Sequence, residues 1–225
     1  MEKVVIFGAS AGTRLIYSLL AEDSSYQIVG FTVDRKYIEE QEFCGLPVVP
    51  FEEIEAIYPP NECKMLVAIL ATRINKARAE KYLDAKAKGY QFITYISPKA
   101  TTWPGMTIGE NCFIADFVIC RPEVVIGNNV FVFGGASIGI GSVIKDHAYI
   151  AARALLLGDN TVEEYAMVGA NATILENITV ARESVIGAGV VLHEDSKEKG
   201  VYRAPPPTLL PLPSDRLGRI LFGKK

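Results

Sequence analysis

From Ile108 onward, every sixth residue is aliphatic or cysteine: Ile108, Ile114, Cys120, Ile126, Val132, Ile138, Ile144, Ile150, Leu156, Val162, Val168, Ile174, Val180, Ile186 and Leu192. At about one chance in three per site, an unbroken run of this length arises by accident with a probability of roughly 10⁻⁷. A period of six matches neither the 3.6 of a helix nor the 2 of a strand. It matches a solenoid with three short strands per turn, in which each inward residue stacks on its counterpart eighteen residues later. The residue four further along is usually small, as a tight corner requires: Cys112, Val118, Val124, Val130, Ala136, Ser142, Ala148, Ala154, Ala166, Ala172 and Ser184.

The chain before about Ser97 has a different grammar. Val4 to Phe7 is a short apolar run of the buried parallel type. It leads into the loop Gly8-Ala9-Ser10-Ala11-Gly12 and an amphipathic stretch from Thr13 to Ala21. Gln27 to Val33 reads as a second strand, Lys64 to Leu70 as a third, Asn75 to Lys88 as a charged helix and Gln91 to Tyr95 as a fourth strand. This order predicts a small Rossmann-like parallel βαβ domain. The 225 residues have room for both halves. The expected division is 1–97 for the α/β domain, 98–200 for the solenoid and 201–225 for a proline-rich capping tail.

Composition removes several classes of function. A formal net charge of −3 gives no electrostatic case for nucleic acid. No apolar run reaches the roughly 18 residues of a membrane span. Met1-Glu2-Lys3, followed at once by a strand, does not read as a signal peptide. The four cysteines form no CxxC pair, and the only histidines are His147 and His193. These counts predict reduced thiols, a cytoplasmic setting and no metal.

Three groups in the first domain fall at the carboxyl ends of predicted parallel strands, where such sheets bind ligands. The loop departs from G-x-G-x-x-G, since Ser10 stands at the middle glycine. Gly8, Ser10, Ala11 and Gly12 still offer backbone N–H groups and a hydroxyl at a helix N-terminus, which suits a pyrophosphate. Asp34 ends the second strand, with Arg35 beside it, and Arg73 follows the third. The plain alternative is a tight turn with exposed charges. A redox nicotinamide enzyme is disfavoured, because about ninety-five residues do not hold a full dinucleotide fold and a substrate domain.

The hexads resemble the left-handed parallel β-helix of hexapeptide-repeat acyltransferases. The two-domain order resembles one branch, the bacterial sialic acid O-acetyltransferases and 4-amino-sugar N-acetyltransferases that act on nucleotide-linked sugars. The resemblance rests on Val4 to Gly12, Cys44-Gly45-Leu46-Pro47-Val48, Ile96-Ser97-Pro98-Lys99-Ala100 and Val168-Gly169-Ala170-Asn171-Ala172-Thr173-Ile174. It implies a homotrimer, with acyl-CoA, usually acetyl-CoA, in the groove between two prisms. It implies a nucleotide-linked amino sugar held by the first domain, for cell-surface glycan synthesis. It also implies a histidine base at a prism corner and backbone N–H groups for the oxyanion.

At the chemistry the sequence departs from that pattern. The position matching the base is Ile140, and the positions nearest a second family histidine are Tyr149 and Arg153. Three readings stay open. A sugar amine made neutral by its surroundings can attack without a base, at a cost of roughly 10²–10⁴ in rate. Another group can serve: Glu123 and Asp159 stack below and above Gly141, beside Ile140, and His147 lies in a corner turn. The plain alternative makes these solvated corner residues, like Asn129, Asn171 and Asn177 in the same hexad slot, with His193 at the end of the prism. In the third reading catalysis is lost and the chain binds a nucleotide-sugar or serves as a scaffold. The resemblance adds Gly141, Arg153 and Arg203 as candidate acyl-CoA contacts. The tail from Val201, with Pro205-Pro206-Pro207, is expected to cap the prism.

Overall fold

The computed structural model describes residues 1–206 and 209 of the chain. The first domain begins with β1 (Glu2–Phe7), α1 (Ala11–Asp23) and β2 (Tyr26–Val33). A short hairpin follows, β3 (Glu42–Phe43) and β4 (Leu46–Pro50), then the single turn α2 (Ile54–Ile57), β5 (Lys64–Val67) and α3 (Lys76–Ala87). The sheet order is β3-β4-β2-β1-β5. All neighbours are parallel except the β3–β4 pair. That hairpin was not evident from the sequence pattern. Its two-residue loop, Cys44-Gly45, has positive φ at both positions (53° and 75°), the geometry a tight hairpin of this hand demands.

The expected fourth strand does not form. Only Phe92 bridges to Met65 at the sheet edge. The chain then crosses to the solenoid, where Tyr95–Ile96 pairs with Phe113–Ile114. An apolar run of this length says strand but not which sheet, and here the β-helix offers the free edge. The solenoid pairing therefore starts ahead of residue 98.

The rest of the described chain is a parallel β-helix of three sheets, with two-residue strands stacked at an eighteen-residue register. The hexad expectation is met in detail. Residues from Ile114 to Leu192 at sixfold spacing are at most 4% exposed and form one continuous core. Ile108, in the first strand of its sheet, is half-buried and packs against that core. The corner residues four further on, Cys112 to Ser184, are buried with them. A second six-residue rule appears at the corners. Asn111, Phe117, Glu123, Asn129, Gly135, Gly141, His147, Arg153, Asp159, Tyr165, Asn171, Asn177, Glu183 and Gly189 all have positive φ. A left-handed residue at each corner turns the chain onto the next face, which explains the many Asn, Asp and Gly in this slot.

One prism sheet joins the two halves. Its outward side chains Phe113, Phe131 and Tyr149 pack, with Tyr95 and Phe133, against Val4, Ile6, Ile16, Leu20 and Phe31 of the first domain. The aromatic rings make a continuous contact series at centroid distances of 5.1 to 6.5 Å. The two halves thus share a hydrophobic core. All four cysteines are free thiols. No helix among the described residues is long and apolar enough to cross a membrane. The tail expectations beyond residue 206, Leu209 aside, lie outside the described residues.

Candidate functional site

A groove of about 1050 Å³ opens where β1, β2 and β5 end. Gly8 to Ser10 and Thr13 form one wall, and Val33 and Asp34 the floor. Ala68 to Leu70, Thr72 and Arg73 form the opposite wall, closed by Ala77, Glu80 and Lys81 of α3. Ser10 caps α1, its hydroxyl accepting from the Thr13 N–H at 3.3 Å. Thr13 reaches back to the Ser10 backbone, completing a capping box. The N–H groups of Ala11 and Gly12 stay without intrahelical acceptors, as at any helix start, so the groove has a positive pole. Gly12 also sets how closely α1 packs, because a β-carbon there would run into the Leu70 side chain.

Of the residues expected in this domain, Gly8, Ser10, Asp34 and Arg73 line the groove, while Ala11 and Gly12 form the first turn of α1 behind it. Arg35 lies outside the groove lining, paired with Glu53, with its N–H donating to Glu52. Two of the lining charges are already matched. Asp34 bonds Lys81 at 2.8 Å, and Arg73 pairs with Glu80. A ribose hydroxyl or a phosphate would compete with these pairs. Sequence reasoning missed Arg14, Lys36, Tyr37, Phe43 and Lys81, all of which line the cavity. Tyr37 is largely exposed and offers a ring face, with Lys36 above it at 4.9 Å. Arg14 lies over Phe43 at 5.4 Å. Rings and cations together suit a base and its phosphates. Proximity to the end of β2 signalled Lys36 and Tyr37, whereas Arg14 on α1, Phe43 on β3 and Lys81 on α3 reach the cavity only through the fold.

The prism residues separate onto different edges. Glu123, Gly141 and Asp159 share one, as the stacking rule required. There the Asp159 N–H donates to the Ile140 carbonyl at 2.8 Å, and the Gly141 N–H to the Pro122 carbonyl at 3.1 Å. The Asp159 carboxylate leans over Gly141, occupying the space a side chain at 141 would need. Ile140 is 49% exposed beside it, and Leu157 of the next coil 40%. The corner therefore presents an apolar ledge next to two exposed carboxylates. Arg153 lies exposed on a second edge, and Arg203 follows the last strand.

His147 lies on the third edge, the one covered by α3. It is buried, not an exposed turn residue. Its Nδ1 is 2.8 Å from Asn129 Nδ2, its ring stacks on Tyr165 at 4.8 Å, and Tyr82 of α3 meets it edge-on. Burial holds its pKa below the ordinary imidazole value, opposed by Asp146 and reinforced by Arg78. His193 is exposed just past the last strand of its sheet.

Arg78 of α3 is fully buried at this junction. It donates to Asn129 Oδ1 (3.0 Å) and to the carbonyls of Ile69 (3.2 Å), Asn129 (3.2 Å), His147 (3.1 Å) and Ala148 (3.2 Å). Phe131 underlies it at 4.4 Å. Burial lowers its pKa to about 9, so the guanidinium keeps its charge at neutral pH. The sequence pattern alone reads α3 as a charged helix. Its buried face, Arg78, Tyr82 and Ala85, follows the i, i+4, i+7 rule, and that spacing was the available signal.

No protein-family model and no curated protein matches the chain. Solved structures match its fold. A histidine mutant of perosamine N-acetyltransferase from Caulobacter crescentus, in complex with CoA and GDP-perosamine, aligns with a TM-score of 0.77 at 20% identity. The alignment covers 87% of this chain and 90% of that one. The acetyltransferase domain of PglB from Neisseria gonorrhoeae, in complex with acetyl coenzyme A, aligns with a TM-score of 0.77 at 22% identity over 86% and 92% of the two chains. WeeI from Acinetobacter baumannii gives 0.62 at 18% identity over 84% and 95%. At such identities the likeness defines the architecture: an N-terminal α/β domain followed by a parallel β-helix, as in the perosamine N-acetyltransferase and PglB structures.

Proposed function

We propose that the protein transfers an acyl group, acetyl in the simplest case, from acyl-CoA to an amino group of a nucleotide-linked sugar. The observation that carries this reading is the groove. It sits at the sheet's carboxyl edge with a helix N-terminus, cations and exposed rings, and α3 and the shared aromatic core fix it to a β-helix. Structures of the same two-part architecture hold CoA or acetyl coenzyme A, and one also holds GDP-perosamine. In this reading the groove takes the nucleotide through Gly8, Ser10, Ala11, Gly12, Asp34 and Arg73. Lys81 and Tyr37 join them, and Arg35 drops out because Glu52 and Glu53 occupy it. The acyl donor lies along the prism near Gly141, Arg153 and Arg203, at the boundary with a second copy in a homotrimer. Cell-surface glycan synthesis in the cytoplasm is the setting.

At the corner, Ile140 cannot accept a proton. The reaction then runs on a neutral amine, with Asp159 and Glu123 the exposed carboxylates beside it. An amine suits this better than an alcohol, which is a poor nucleophile without activation. His147 takes no proton from substrate in this reading, because its Nδ1 is committed to Asn129. The apolar ledge and the committed histidine also favour a second reading, a nucleotide-sugar-binding relative without transferase activity.

Calorimetry with acetyl-CoA separates the two. The transferase reading expects a dissociation constant in the micromolar range, about −8 kcal/mol, and no binding at millimolar acetyl-CoA refutes it. Assembly is tested apart from chemistry. Light scattering is expected to give three times the 24.6 kDa chain mass, and a monomer mass sinks the trimer.

A further inference from the structure

The edge that carries His147 is the docking strip for α3. Successive coils place Asn111, Asn129, His147, Tyr165 and Glu183 in its left-handed corner slot. α3 packs Tyr82 and Ala85 into the core of its own domain, and its N-terminal half is anchored to this column. Lys76 pairs with Glu183 at 2.7 Å, Asn75 Nδ2 donates to the Tyr165 carbonyl at 3.3 Å, and Arg78 holds Asn129 and His147.

The first three members form a hydrogen-bond ladder of fixed direction. The Val67 N–H donates to Asn111 Oδ1 at 2.8 Å, Asn111 Nδ2 donates to Asn129 Oδ1 at 2.7 Å, and Asn129 Nδ2 lies 2.8 Å from His147 Nδ1. Amide orientations are ordinarily a matter of choice, but here two obligate donors decide them. Turning over Asn129 would set its NH₂ against Arg78 Nε and against the Asn111 NH₂. Turning over Asn111 as well would set its NH₂ against the Val67 N–H. A backbone N–H and a guanidinium never accept. His147 must therefore accept at Nδ1, so in the docked state it is neutral, with its proton on Nε2.

We propose that His147 is a proton-operated latch: a proton taken up at Nδ1 breaks the ladder and releases α3, which carries one wall of the groove, from the prism. Protonation turns the Asn129–His147 hydrogen bond into two donors facing each other at 2.8 Å. It also places a cation beside Arg78, which already bonds the His147 carbonyl. The charges around the ring are mixed. Asp146, its neighbour in the chain, and Glu164, from the next coil, favour the imidazolium, while Arg78 from α3 and Arg182 disfavour it. Tyr82 and Tyr165 cover the faces of the ring without a formal charge. Burial is the largest influence and disfavours the charged form. The groove residues Ala77, Glu80 and Lys81 sit on the released helix, so its geometry changes with the latch whatever ligand it takes.

If release takes up one proton, its equilibrium moves by up to about tenfold per pH unit below the ordinary imidazole pKa of about 6.5. Hydrogen exchange of the α3 amides, corrected for the intrinsic rate, reads this directly. Between about pH 7.5 and 5.5, α3 protection in the wild type is expected to fall several-fold, up to about tenfold, the most that one proton allows. His147→Asn is the control. Asparagine already fills this slot at Asn111 and Asn129, tolerates the left-handed backbone, presents a carbonyl where Nδ1 stood, and does not titrate. Its α3 protection is expected to stay flat. Equal loss in both proteins overturns the latch. An NMR titration of the wild-type His147 imidazole decides independently of the variant: it should titrate below the ordinary imidazole value, and a pKa at or above that value overturns the proposal.

Discussion

Replacing Arg78 by alanine is expected to cost about 3–5 kcal/mol of stability, the scale for removing one partner from a buried, hydrogen-bonded charge site. That corresponds to a fall in melting temperature on the order of 10 °C for a chain of this length. The guanidinium is fully buried and, among the described residues, has no carboxylate partner. Four backbone carbonyls, one side-chain amide oxygen and the face of Phe131 surround it instead. Alanine would strip this donor from the carbonyls of Ile69, Asn129 and His147 and leave a cavity over Phe131, while the Ala148 carbonyl keeps the Phe131 N–H and Asn129 Oδ1 keeps Asn111 Nδ2. Lysine is not expected to rescue, since a single ammonium cannot span acceptors that the planar fork reaches together. Thermal unfolding of Arg78→Ala and Arg78→Lys checks this, and a loss under about 1 kcal/mol in either would mean that the contacts contribute little. The same substitutions should raise hydrogen exchange in α3 at neutral pH, because Arg78 is the only α3 side chain that enters the ladder.

Ile150→Ala is expected to cost about 2–5 kcal/mol, and Ile150→Val about 0.5–1.5 kcal/mol. Ile150 is fully buried in a strand that pairs with Phe131–Val132 and Met167–Val168. Each layer of the prism interior holds one inward side chain from each face; here Ile144, Ile150 and Leu156 share the layer. Three backbones held in register by interstrand hydrogen bonds cannot close around three lost carbons, so the cavity persists and the cost sits toward the upper end of the range. Chemical denaturation would show it. A loss below 1 kcal/mol for alanine would mean that the coils slide to fill the gap, which the register seen here does not suggest.

The solenoid was legible because its code is local and strict. A residue at sixfold spacing meets the same environment in every coil, so Ile114 to Leu192 reveal the fold without any knowledge of the first domain. The glycine-bearing loop was legible for a similar reason: Gly8 and Ser10 serve a turn and a cap that involve the near neighbour Thr13, although the Leu70 side chain that Gly12 meets is distant in sequence. Tyr95 was misassigned because an apolar strand carries no address. Either sheet satisfied its pattern, and the free edge of the β-helix took it.

His147 and Arg78 show the limit more sharply. In the sequence the histidine is an exposed corner residue and the arginine one cation on a charged helix. Burial of both follows from the docking of α3 against the prism edge, a contact between residues 69 positions apart. No periodicity encodes it, because it depends on where two separately built surfaces meet. The candidate site divides in the same way. The sequence by itself determined the two architectures, the eighteen-residue stacking of Glu123, Gly141 and Asp159, and an aliphatic side chain at Ile140, since each follows from spacing or from residue type. Only the tertiary structure decided that Arg35 leaves the groove, that Lys81 and Tyr37 join it, and that His147 is locked as a neutral acceptor. Charge pairing and hydrogen-bond direction depend on neighbours in space, which the chain acquires only when the two domains pack.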